Sequence, residues 1–311
     1  MQIENKNYKD TVFRLLFNNK RHLLELYNAL NSTNYDNPDE LEITTLEGHT
    51  YLNMKNDVSC ILDFELNLYE HQSTLCPNIP LRNLYYVSEI LRKKIPRTIT
   101  YSSKPIPIPT PHFFVFYNGI SSTKDKTVYN LSEMFKNKTD SPSLELSVTA
   151  YNINEGHNKA LLDACKTLKG YSIFVGKVRK YRQEAEDKYN NENKVKLKDL
   201  VDKEDILKVL ISSAVSKAID ECIQENVLKD FFLTYRQEVI DMSYSESTAE
   251  EQIEMISNYE YETGYNNGQK SVTDLFAWLI SKGSSTDIEK AVNDPEFLKN
   301  LLKEYNETST K

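Results

Sequence analysis

The sequence predicts a mixed α/β core followed by a helical C-terminal region. Three observations lead there. Apolar residues near the start recur at spacings of three and four, which is helical. Short extended runs bounded by turn residues occupy the middle of the chain. Beyond Leu200 only helical spacing is found. Helix, strand, hairpin, helix, two strands and helices, in that order, describe a sheet covered by helices.

The elements follow from local chemistry. Residues 8–30 read as one helix, with Val12, Leu15, Leu16, Leu23, Leu26, Tyr27 and Leu30 on its apolar face. Asn31-Ser32-Thr33-Asn34 ends it, and a short strand is expected at residues 42–46. Residues 57–74 read as a hairpin turning at Asp63-Phe64. A helix is expected over residues 80–94, with Asn78 near its start. The proline-rich run 104–111 cannot be helical and reads as an extended connector. Residues 112–117 form an apolar strand ended by the turn pair Asn118-Gly119, and residues 144–153 form another. Helices are expected over residues 159–189 and, as one long pattern, 202–235. Residues 243–248 are a polar break. Residues 273–305 form a small helical element around Trp278. The expected domains are therefore a core with trailing helices over residues 1–242, then an acidic linker and small helical element over 243–311.

Composition narrows the function. With only 8 glycines, the 311-residue chain has neither of the glycine-rich phosphate-loop motifs, which argues against a nucleotide-fuelled enzyme. The polar start and the absence of a long apolar run predict no membrane span and a cytoplasmic protein. The four cysteines lack paired spacing, so reduced thiols are expected rather than a zinc ribbon. The net charge of −8 is unfavourable for binding nucleic acid, but it is uneven. Residues 81–110 hold six bases (Arg82, Arg92, Lys93, Lys94, Arg97, Lys104) against Glu89, whereas residues 241–262 hold seven acids and no base. The first half can therefore still hold a phosphate backbone. The cluster from Arg92 to Arg97 would suit either DNA phosphates or a solvated helix end.

The hairpin carries the chemistry. A two-residue turn at Asp63-Phe64 places Asp57 opposite Glu70, and opposite residues share a face. Gln72 lies two residues on, on the same face. A one-residue slip would send Asp57 to the other face. Two carboxylates on adjacent strands form a hard oxygen site for Mg²⁺ or Mn²⁺. A metal there can polarise a phosphate oxygen and generate hydroxide. The same residues would also suit the solvated face of a hairpin. In this register His71 faces away from the acids.

Asn56-Asp57-Val58-Ser59-Cys60, Tyr69-Glu70-His71-Gln72-Ser73-Thr74 and Asn78-Ile79-Pro80-Leu81-Arg82 together resemble the signature of the recombination-promoting nuclease and putative transposase family, within the PD-(D/E)XK superfamily. Three further blocks are similar to it: Lys9 to Arg14, Ile108 to Gly119 and Tyr151 to Asn158. The succession covers roughly residues 8–240. The resemblance implies a PD-(D/E)XK, restriction-endonuclease-like core, with a mixed central sheet flanked by helices. It implies Asp57 and Glu70 as metal ligands, Gln72 as the third catalytic residue, and Mg²⁺ as cofactor with Mn²⁺ or Ca²⁺ as substitutes. Gln72 stands where the superfamily usually has Lys. It can orient water but brings no charge, so either another cation helps (Lys55 and Arg82 are nearest) or catalysis leans on the metal. The resemblance assigns the His71 carbonyl to the metal shell. Asp10 either aims at the same metal, as in many superfamily members, or favours the dipole of its own helix start.

The expected activity is metal-dependent endonucleolytic hydrolysis of double-stranded DNA with low sequence specificity, linked to recombination, mobile elements or defence against foreign DNA. RNA stays open as substrate. The alternative is a catalytically weak or autoinhibited member that binds DNA or protein, motivated by Gln72 and the acidic 241–262 stretch. A C-terminal face of Leu275, Phe276, Trp278, Leu279 and Ile280 would suit either a homodimer or packing on its own chain.

Overall fold

The computed structural model describes residues 8–46, 56–121, 124–194 and 204–246, with isolated positions between 275 and 305. Asn18-Asn19 interrupts the first helical pattern, giving α1 (Tyr8–Phe17) and α2 (Lys20–Asn31). The interruption is chemical: the Asn19 side chain accepts from the Arg21 and His22 amides and caps α2. Six strands follow among the described residues: β1 (Glu42–Ile43), β2 (Val58–Leu62), β3 (Glu65–Gln72), β4 (Thr110–Tyr117), β5 (Lys126–Asn130) and β6 (Ser147–Asn152). The helix α3 (Ile79–Lys94) crosses from β3 to β4. Four helices close this part: α4 (Lys159–Ala164), α5 (Lys166–Asn193), α6 (Glu204–Gln224) and α7 (Lys229–Glu246).

The sheet is mixed, in the order β1-β2-β3-β4-β6-β5. β1, β2 and β3 are antiparallel to one another, β3, β4 and β6 run parallel, and β5 returns antiparallel on β6. β3 is central and buried along nearly its whole length, so its side chains sort into two cores. Leu66 and Leu68 face α3, with Phe113, Val115, Val148, Ile79 and Ile90. Tyr69 faces the other helices, with Val58, Cys60, Phe116, Phe13 and Tyr171. Burying each of these large apolar side chains contributes roughly 1.5–3 kcal/mol.

The hairpin has the expected register, with Val58 opposite Tyr69 and Leu62 opposite Glu65. Its turn residues Asp63 and Phe64 both have positive φ, 49° and 60°, as a type I′ turn requires. Phe64 is a poor residue there and is 68% exposed, so it has little packing to lose. Phe64→Gly is expected to stabilise the protein by about 0.5–1 kcal/mol. Thermal unfolding checks this; a lower melting temperature would count against the turn assignment.

Several other expectations change. The 42–46 strand shortens to two residues, and the 144–153 strand to Ser147–Asn152. β5 has no counterpart in the sequence reading, because its Lys-Thr-Val-Tyr-Asn run on a sheet edge is only weakly apolar. The 202–235 pattern is two helices. Asn226 and Leu228, at φ 60° and 47°, break it. Gly170 of α5 admits Leu228, whose Cγ would lie 2.7 Å from any Cβ at that position. Finally, α7 continues through Ser243–Glu246, placed by the sequence reading in the linker that was to start at residue 243, and the chain divides into Met1–Ser247 and Thr248–Lys311. In the second unit Leu275 and Leu279 are buried, and the Trp278 and Tyr305 rings lie 5.7 Å apart; Phe276 and Ile280 lie outside the described residues.

No helix among the described residues is long and apolar enough to cross a membrane. All four cysteines are free, and Cys60, Cys165 and Cys222 are buried.

Candidate active site

Strand direction determines the site. β3, β4 and β6 end at one edge of the sheet, and β2, running the other way, begins there. Open α/β sheets bind ligands beyond the carboxyl ends of their parallel strands. Asp57 stands immediately before β2, and Glu70, His71 and Gln72 end β3.

Asp57 and Glu70 interlock. The Asp57 amide donates to Glu70 Oε1 at 3.2 Å, and the His71 amide donates to Asp57 Oδ2 at 2.7 Å. Glu70 is only 2% exposed, so it is not on a solvated hairpin face. Its other oxygen accepts from Arg82 Nη2 at 3.1 Å, and Arg82 also reaches the Tyr86 hydroxyl one helical turn along α3. Neither carboxylate is comfortable as an anion. Burial, then the Asp10 charge, push Asp57 up to about 7, against the His71 amide and Arg14. Burial, then the Asp57 charge, hold Glu70 well above the usual range, against Arg82.

The other residues named from the sequence take distinct places. Asp10 comes over the edge from α1, on the opposite face from Glu70, and its Oδ1 lies 2.5 Å from His71 Nδ1. That imidazole is buried between Phe13 and Tyr171, with ring centroids at 5.9 and 5.6 Å. His71 thus faces away from the acid pair, as expected, yet ties Asp10 to its strand. Among the described residues no three His, Cys, Asp or Glu side chains form a group ready to enclose an ion: the structure joins Asp57 to Glu70 and holds Asp10 against His71. Gln72 is buried beside Glu70 on the α3 side, and its Nε2 has no hydrogen-bond partner among the described residues. Lys55 lies outside the described residues. Of the two cations suggested by sequence proximity, Arg82 is therefore the one seen, and it binds Glu70.

The basic cluster of α3 does not join this site. Lys94 pairs with Glu42 and Arg92 with Glu89. Glu42 sits opposite Ile61, at the far end of β2 from Asp57, so the cluster decorates the opposite edge of the sheet.

Sequence reasoning missed the polar groups that β4, β6 and α5 bring to the same edge. Asn118 follows β4, and its amide donates to the Gln72 carbonyl at 3.0 Å. Gly119 is pressed against Ser73, whose carbonyl oxygen would lie 2.0 Å from any Cβ there. Asn154 follows β6 and donates to the Gly119 carbonyl at 3.0 Å. Arg179 of α5 completes the group by donating to Asn154 Oδ1 at 2.7 Å. Asn118-Gly119 read only as a turn, and Arg179 lies too far along the chain to give a local signal. Arg14, one turn beyond Asp10 on α1, was visible in a motif block but was assigned no role.

Comparison of the chain with protein-family models, with curated proteins and with solved structures returns no match.

Proposed function

We propose that the chain is a metal-dependent endonuclease of the PD-(D/E)XK type, hydrolysing phosphodiester bonds in double-stranded DNA with Mg²⁺ as cofactor. One observation carries the reading. Two buried acids are brought together at the end of adjacent strands through the Asp57 amide, which donates to Glu70; both are pushed toward the protonated form, and Arg82 pairs with Glu70. A folded protein holds such a pair at a cost, and a divalent cation removes that cost. The mixed sheet between two helical layers, and the motif blocks of the sequence, support the same reading.

The donor set fits a hard cation. Asp57 and Glu70 would hold it, with the His71 carbonyl as a third oxygen. The metal would polarise a phosphate oxygen and lower the pKa of a bound water. Gln72 presents an amide whose N–H has no partner among the described residues, suited to orienting a water or a phosphate oxygen without adding charge. The Asp10–His71 contact fixes the end of β3, and with it the peptide that clamps Asp57. Arg82 neutralises Glu70 until a cation competes for the carboxylate.

The Arg82–Glu70 pair also favours a second reading, a catalytically silent or autoinhibited member that binds DNA or protein, since it occupies a carboxylate the metal needs. Thermal stabilisation by Mn²⁺ that vanishes in Asp57→Ala separates the two readings. Supercoiled plasmid cleavage by wild type and a Glu70 variant, with Mg²⁺, Mn²⁺, Ca²⁺ or EDTA, tests the activity itself. An RNA duplex in the same assay identifies the sugar. A homodimer through the C-terminal unit, which would suit cutting two strands, is tested by sedimentation of the full chain.

A further inference from the structure

Most cations of α5 with a defined contact have a carboxylate. Lys169 binds Asp163, Lys177 binds Glu221 and Glu225, Arg182 binds Glu186, and Lys188 approaches Glu192. Arg179 differs. Its guanidinium is partly buried, and its partners are neutral amide oxygens: Asn154 Oδ1 at 2.7 Å and Asn118 Oδ1 at 3.5 Å. The two amides are themselves held. Asn118 Nδ2 donates to the Tyr171 hydroxyl at 3.3 Å, and Asn154 Nδ2 donates to Gly119 O and Asn152 Oδ1 at 3.0 and 2.9 Å. Their oxygens are thereby turned toward Arg179, and among the described residues no carboxylate pairs with it. A partly buried guanidinium held by neutral oxygens keeps its charge available, and an arriving anion would pair with it.

The position is as informative as the missing carboxylate. Asn118 follows β4 and Asn154 follows β6, so Arg179 is anchored at the edge where Asp57 and Glu70 lie. Neighbouring strands are about 4.8 Å apart, which puts the amide cradle roughly 5–10 Å along that edge from Glu70. An anion-bearing polymer lying across the strand ends would meet the carboxylate pair and then Arg179. A guanidinium fork suits a phosphate diester, which it can bind through two N–H groups.

We propose that Arg179, held by Asn118 and Asn154, grips a backbone phosphate of the DNA next to the one being cleaved. It is a positioning residue. The proposal rests on the nuclease reading but is tested without cleavage. The measurement is binding of the full chain to a short fluorescein-labelled DNA duplex across a NaCl series, in EDTA and again in Ca²⁺. Arg179→Gln is expected to weaken binding and to lower the slope of log affinity against log salt by about 1, the signature of one lost phosphate contact. Arg179→Lys, which keeps the charge, should restore the slope. A merely structural role would change stability and leave the slope alone.

Should Arg179→Gln fail to fold, the wild-type protein supplies the second arm. Duplex DNA should protect Arg179 from an arginine-specific dicarbonyl reagent. An unchanged slope in folded Arg179→Gln, absent protection, or no binding of DNA by the wild type would each overturn the proposal, as would protection by duplex RNA alone. Loss of cleavage with Glu70 is a separate outcome and bears on the nuclease reading.

Discussion

If the chain is the nuclease proposed above, Glu70→Gln is expected to reduce metal-dependent DNA cleavage by at least ~10³-fold, about 4 kcal/mol of transition-state stabilisation, while leaving the fold as stable as wild type or more so. The substitution keeps the shape and removes one charge. It ends the repulsion between Glu70 and Asp57, which, after burial, is what raises Glu70. It also releases Arg82, but that side chain is 44% exposed and can be solvated where it stands. Function and stability therefore move apart, as at other sites where strain serves activity. Plasmid cleavage and thermal unfolding, measured on one preparation, check both halves. Retained cleavage would remove Glu70 from the site. Cleavage and stability lost together would make it a structural residue.

The metal-free protein is expected to lose stability as the pH rises from 5 to 8, the reverse of ordinary acid denaturation. Asp57 titrates near 7 in the fold and near 3.9 in an unfolded chain. Between those values the native state holds a proton that the unfolded state has released, so rising pH favours unfolding. The loss from Asp57 is about 4 kcal/mol at most, and Glu70, also raised, adds to it in the same direction. Carboxylates with the opposite shift, such as Glu89, Asp220 and Glu221, act at lower pH and stay out of this window. Because metal ligands must be ionised, Mg²⁺ or Mn²⁺ should raise the melting temperature more at pH 8 than at pH 5. Melting curves across pH, in EDTA and with Mn²⁺, decide it. A flat profile in wild type, or an unchanged slope in Asp57→Asn, would sink the account.

Much of the site's first layer was legible because it is local. Alternation has a period of two, and a two-residue turn leaves one register, so Asp63-Phe64 alone placed Val58 opposite Tyr69 and brought Asp57 to Glu70. The burial of that pair was not legible. It depends on α3 covering one face of β3 and on Arg82 arriving from α3. Helical periodicity was read correctly but too generously, because spacing continues through a break when apolar residues resume in phase. Asn18-Asn19 and the positive-φ residues Asn226 and Leu228 ended helices that periodicity joined.

By itself the sequence determined the α/β class, the hairpin, its register and the carboxylate pair, since each rests on neighbours within a few residues or on one turn. Only the tertiary structure decided what surrounds that pair. Asp10 meets His71 across 61 residues of chain, and Arg179 meets Asn118 across 61 more. It also carried the basic end of α3 to the opposite edge of the sheet. Such contacts follow from strand order and from which helix covers which face, and those are settled by burying two cores at once rather than by any local preference.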